Sequence, residues 1–261
     1  MVKENPDQTK VMPLLDHLIE LRKRLLYSCG AFFIAFFLCF HFAQDIFDFL
    51  ARPLAIILLN ETGRRFIYTD LTEVFFTQLK VAFFGAACLS FPIFATQLWK
   101  FVAPGLYKHE KMAFLPFLMA APIMFIIGAS VLYYILLPVA WQFFLGFQVK
   151  AGTGTLPIEL EAKVGEYISL VMKLIFAFGL CFQLPVLLVL MAKVGLISWQ
   201  TLAKKRRYAI IIIFVVAAIV TPPDPISQIS LAIPIILLYE ISIWCAYFIQ
   251  KNRIKNDKNI V

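Results

Sequence analysis

Charge is what this sequence has least of: charged residues fill 15% of its 261 positions, against 61% for hydrophobic ones. A water-soluble domain balances the two far more evenly, so composition alone excludes one. Missing as well are the GxxxxGK[ST] phosphate loop, the GxGxxG dinucleotide turn, the HExxH zinc helix and the GxSxG nucleophile elbow. Those absences remove nucleotide-driven and common hydrolytic chemistries, and the acidic residues at membrane depth make no paired-aspartate site. Any energy for work must come from elsewhere, and the chain is not expected to be an enzyme. The five cysteines, Cys29, Cys39, Cys88, Cys181 and Cys245, are odd in number, lack CxxC spacing and sit inside apolar runs, which suits packing rather than disulfides. His17, His41 and His109 share no ligand spacing with them, so neither a metal nor another cofactor is expected. The net charge of +8 comes from short basic clusters between apolar runs, which is the pattern of membrane orientation signals and not of a nucleic-acid surface.

Long apolar runs are what the sequence does have. Leu25 to Ala43, Phe75 to Leu98, Met112 to Pro138 and Val164 to Met191 each reach the ~20 residues that span a ~30 Å hydrocarbon core. A cleaved leader at the first run is disfavoured, because no clear small-x-small cleavage site ends it. Prolines 92, 116, 122 and 185 lie within the later runs and predict bent, closely packed helices, since neighbouring helices in a membrane can satisfy the carbonyls a proline frees. Tyr208 to Val220 is shorter, ~20 Å as a helix, and after the turn TPPDP the run Ser227 to Ile249 returns. Two readings of this short final pair stand: local thinning of the bilayer, or tilted helices packed within an oligomer. Between the first two runs, LAIILL at 54–59 is too short to cross; it predicts an amphipathic, surface-lying piece broken at Pro53 and at NETGRR.

The expected fold is therefore an all-α membrane protein of six transmembrane helices, with the fifth and sixth short. It forms one polytopic domain over 1–261: an amphipathic segment at 1–24, a six-helix core at 25–249 and a flexible tail at 250–261. Lysine and arginine set the orientation. Five fall in the N-terminal segment, three in the 2–3 loop, five in the 4–5 loop and four in the tail, against five on the other side. That asymmetry places both termini in the cytoplasm.

Two segments carry candidate chemistry. In HLIELRKRL at 17–25, Asp16 is positioned to cap a helix in which Glu20 stands four residues before Arg24. In WKFVAPGLYKHEK at 99–111, a Pro-Gly turn carries Phe101, Pro104 and Tyr107 ahead of Glu110. On spacing alone, a surface ion pair accounts for the first, and an interfacial aromatic belt with a carboxylate at a helix start accounts for the second.

Taken together these segments resemble the TatC family of the twin-arginine protein translocase. The likeness covers nearly the whole chain, through HLIELRKRL, the Pro53 region, FFTQLK at 75–80, FVAPGLYKHE at 101–110, FGLCFQLPV at 178–186, KKRRY at 204–208 and TPPD with SQ at 221–228. The resemblance implies a bacterial inner-membrane receptor that binds twin-arginine signal peptides of folded cargo. It also implies assembly with TatA and TatB single-span subunits and with other copies of itself in membrane lipid, and transport on the proton gradient. By the same resemblance Glu20 and Glu110 match the signal-binding carboxylates, which a guanidinium can engage bidentately and a lysine cannot. Arg22 and Arg24 would orient them, and Phe101, Pro104 and Tyr107 would shape the docking loop. Pro53 matches a position of a periplasmic cap, and Gln183 stands where some members carry Glu. Glu240 is expected to reach Arg206 or Arg207 or to contact a partner subunit, and Asp224 to form a turn. The alternative reading, a small-solute secondary transporter, calls for repeat symmetry between halves, and the sequence has no convincing repeat.

Overall fold

The computed structural model describes residues 14–58, 65–102, 111–148, 160–222 and 224–258. They form ten α-helices: α1 (Leu14–His41), α2 (Ala43–Leu58), α3 (Glu73–Val102), α4 (Lys111–Val131), α5 (Leu137–Leu145), α6 (Val164–Cys181), α7 (Leu184–Val194), α8 (Trp199–Lys204), α9 (Arg206–Val220) and α10 (Pro225–Lys258). The described residues contain no strand; one isolated parallel bridge joins Ile67 to Lys163.

Five helical stretches are long and apolar enough to cross a membrane: His17–His41, Glu73–Leu98, Phe117–Leu145, Val164–Val194 and Pro225–Lys251. Between 17% and 39% of each apolar window is buried within the chain, and large apolar side chains such as Ile34, Phe37 and Ile233 are exposed. Outward-facing Leu, Ile and Phe at that density need lipid as solvent. The buried remainder makes a main core, centred on Leu50, Val81, Leu137, Ile168, Phe178 and Ile235, and a small separate cluster of Cys39, Ala43 and Ala82.

α1 and α3 run antiparallel, with His17 against Phe101 at one end and Phe32 against Phe83 further along. α6 lies behind them and crosses α4 at close range. Gly128 and Gly179 are why: a Cβ at Gly179 would fall 2.6 Å from the Phe125 ring, and one at Gly128 would fall 2.7 Å from Phe182. Each helix thus offers a glycine to the other's phenylalanine, the small-residue packing that lets membrane helices approach.

Several expectations are corrected. The helix through HLIELRKRL is the start of α1 itself, already under way at Leu14, so Asp16 lies in its first turns and does not cap it. α2 is continuous through Pro53 instead of breaking there. Of NETGRR only Arg65 lies among the described residues. The third span continues past Pro138 to Leu145, through a π-helical turn at Leu132–Leu136 where the Leu137 N–H bonds back to the Leu132 carbonyl. Pro138 lacks the N–H that would continue the α ladder there, and a π turn absorbs the mismatch. The fourth span breaks at Phe182–Gln183, ahead of Pro185, and α7 ends on Gly195 at φ 85°, the left-handed cap that glycine supplies without strain. α9 is short as expected, 15 residues or ~22 Å. α10, its hairpin partner, was expected to be short as well but runs for 34 residues through Lys258, its apolar part long enough to cross a membrane, and the expected flexible tail is helical over its described part.

Candidate functional site

α1 buries a single narrow stripe. Ser28, Ala35 and Cys39 are its only buried positions among the described residues, and continuing that spacing backwards gives Arg24, Glu20 and His17. The stripe faces α3, and at its open end it turns polar. His17 stacks on Phe101 in the last turn of α3, ring centroids 4.2 Å apart and planes 17° from parallel. One turn on, Glu20 Oε1 accepts from Arg24 Nε at 3.0 Å and also from Arg24 Nη2. Both side chains keep only 21% of their surface.

Both Arg24 donors converge on one carboxylate oxygen. Glu20 Oε2 is buried and has no hydrogen-bond partner among the described residues. A buried, unpaired carboxylate oxygen is costly, and a second cationic donor is the group that would relieve it. Arg22, two residues from Glu20, lies on another face of the helix and is exposed, and no ion pair links it to Glu20 among the described residues. The structure therefore brings Arg24 to Glu20, sets Phe101 against His17 one turn away and leaves Arg22 apart. Pro104, Tyr107 and Glu110 lie outside the described residues, between the end of α3 and the start of α4.

The match to known proteins settles the family. Residues 16–234 fit the family model described as Sec-independent protein translocase protein (TatC). The chain belongs to the TatC family. It is 49% identical to the TatC of Magnetococcus marinus over 253 residues, covering 97% of this chain and 90% of that protein. To TatC of Escherichia coli K12 it is 39% identical over 247 residues, covering 94% and 92%. A crystal structure of a twin-arginine translocase receptor, TatC, superposes with a TM-score of 0.76 at 39% identity, covering 90% of this chain and 99% of that one. Membership in this family makes the chain a multi-pass membrane component of Sec-independent protein transport.

The remaining expected residues of this TatC-family chain fall at separate places. Gln183 sits at the α6–α7 break, where its Nε2 donates to the Ala121 carbonyl on α4 at 3.0 Å and to the Gly179 carbonyl at 3.4 Å. Its amide therefore stitches helices of one chain. Glu240 on α10 accepts from Arg206 Nη2 at 2.9 Å, whereas the Arg207 guanidinium lies 5.0 Å from the Tyr208 ring. Asp224 caps α10, its Oδ1 accepting from the Ser227 N–H at 2.7 Å.

Pro53 is buried in α2. It has no N–H for the Phe49 carbonyl, and Tyr133 Oη fills that place at 2.6 Å from the π turn, its ring stacked on Phe49 at 4.4 Å.

Two residues escaped the sequence reading. Tyr133 carries no signal of its own in the sequence, and only a proline in a distant helix marks its role. Glu73 opens α3; its Oε2 accepts from the Thr69 N–H at 3.0 Å and its Oε1 from the Gly165 N–H at 2.9 Å, joining the starts of α3 and α6. An acid at a helix start was the available signal, but its second partner lies 92 residues away.

Proposed function

We propose that this chain is the receptor subunit of the twin-arginine translocase, docking twin-arginine signal peptides at the end of the bundle that carries Glu20. Glu20 is the observation that carries the reading: a carboxylate fixed through one oxygen by Arg24, with its second oxygen unpartnered. An incoming guanidinium presents parallel N–H donors in a plane and satisfies that oxygen, while a lysine ammonium has no matching fork. Glu110 supplies the acceptor for the second arginine, and Phe101, Pro104 and Tyr107 form the wall beside it. Arg24 positions Glu20. Arg22, on the outer face, adds only to the local field. Partial burial of the pair raises its contribution above that of a surface ion pair, and contact with the signal's apolar stretch adds the rest.

The excess of Lys and Arg on the loops at this end supports a cytoplasmic location for it, with both termini inside and the chain in the bacterial inner membrane. α9 is then a sixth crossing, short enough to draw the two leaflets together. TatA and TatB are the expected single-span partners, further copies of the chain complete the complex, and the proton gradient supplies the energy.

The test is photo-crosslinking of a twin-arginine signal peptide to membranes holding the full chain. Glu20→Arg and Glu110→Arg should each reduce capture tenfold or more, about 1.4 kcal/mol per decade. Exchange of the peptide's arginines for lysines should weaken capture similarly. Capture that is indifferent to all three changes refutes the reading.

A further inference from the structure

At the end of the bundle opposite Glu20, two cavities run into one another. The first, about 470 Å³, is lined by Arg52, Gln142 and Tyr134 together with apolar residues of α2. The second, about 500 Å³, continues it between α1, α3 and α4 and is lined by Phe84, Leu89, Ile126 and their apolar neighbours. Phe49, Tyr133 and Tyr134 border both, so the two form one cleft.

The cleft is polar at one end only. Arg52 is its single charged lining residue. It is exposed, and no described residue pairs with it: Asp48, one helical turn away, is held instead by Gln44 Nε2 at 3.0 Å. Below Tyr134 the lining is hydrocarbon apart from the small Ser130 and the thiols of Cys39 and Cys88. From Gln142 to Ile126 the α4–α5 helix descends ~24 Å at ~1.5 Å per residue. That depth holds a headgroup and the ~15 Å of one leaflet, half of a ~30 Å hydrocarbon core.

We infer that this cleft binds one anionic phospholipid, with its phosphate on Arg52 and an acyl chain along Phe84, Leu89 and Ile126. Charge complementarity selects the headgroup: a lone cation with no acid lining the cleft favours a net negative lipid over a zwitterionic one. Tyr134 and Gln142 offer hydrogen bonds to the glycerol and phosphate oxygens.

Native mass spectrometry of the purified full chain, titrated with phosphatidylglycerol or phosphatidylethanolamine of matched acyl chains, tests the assignment. One phosphatidylglycerol should be retained with about fivefold preference, the effect of one basic side chain at an anionic headgroup. Arg52→Gln should abolish the preference, Arg52→Lys should keep most of it, and Lys205→Gln at the other end should leave it unchanged. Ser130→Phe, which fills the apolar half, should lower retention of both lipids. A melting profile on each variant separates lost binding from lost folding. Equal retention of the two lipids by the parent chain overturns the proposal, as does an unchanged preference in Arg52→Gln. Competition by soluble glycerol phosphate would mean a free-anion site. A dimer that Ser130→Phe dissociates without altering lipid retention would give the cleft to a second copy. Either outcome also overturns it.

Discussion

Tyr133 and Pro53 offer a sharp test of how this bundle tolerates a buried proline inside a helix. Tyr133→Phe keeps the ring stacked on Phe49 and removes only the hydroxyl that donates to the Phe49 carbonyl. That carbonyl cannot turn to its own helix, because position 53 has no N–H. The loss should therefore cost about 1–2 kcal/mol, between the measured mean for interhelical bonds in membranes and the penalty for a buried orphan acceptor. Pro53→Ala changes the premise by restoring an N–H one turn beyond the carbonyl. In that background Tyr133→Phe should cost much less, giving a coupling of about 1 kcal/mol in a double-mutant cycle. Reversible unfolding of the purified full chain by sodium dodecyl sulfate in mixed micelles measures all four corners. If Tyr133→Phe costs the same in both backgrounds, to within about 0.3 kcal/mol, the hydroxyl is not standing in for the missing N–H and the reasoning fails.

Two further outcomes follow from the packing and the caps. Gly179→Ala should destabilise the chain by about 1–3 kcal/mol, because its Cβ meets the Phe125 ring at 2.6 Å, and Phe125→Leu should recover part of that loss in the same unfolding assay. Glu73→Ala should speed amide hydrogen exchange at Thr69 and Gly165, which lose their acceptors, with the Ile67 and Val164 amides of the bridge between Ile67 and Lys163 following; unchanged exchange would show that the cap holds nothing.

The candidate site shows where sequence reasoning stops. Glu20 and Arg24 announce an i,i+4 pair by spacing, and the pair is there, but spacing says nothing about which oxygen the arginine takes or whether the other is left without a partner. Arg22 looks equivalent to Arg24 in a linear motif, yet two residues amount to ~200° around a helix, which carries it to another face. His17 gave no hint of function, because the ring it meets lies 84 positions away on α3. Prolines mark bends without saying who repairs them. Pro53 is carried inside a straight run of α2 because of a tyrosine from the third span, while Pro138 and Pro185 leave a π turn and a break.

Composition and local pattern determined the all-helical membrane class, the placement of the long spans, the shortness of α9 and the family, since each depends on runs of neighbouring residues and on how far a helix reaches per residue. The tertiary structure decided which carbonyls freed by proline find donors, which glycines admit a facing ring, which oxygen of Glu20 has no partner and where the cleft beside Arg52 opens. Those depend on atoms from helices far apart in the chain meeting within a few ångströms, and a linear order of residues does not encode that distance.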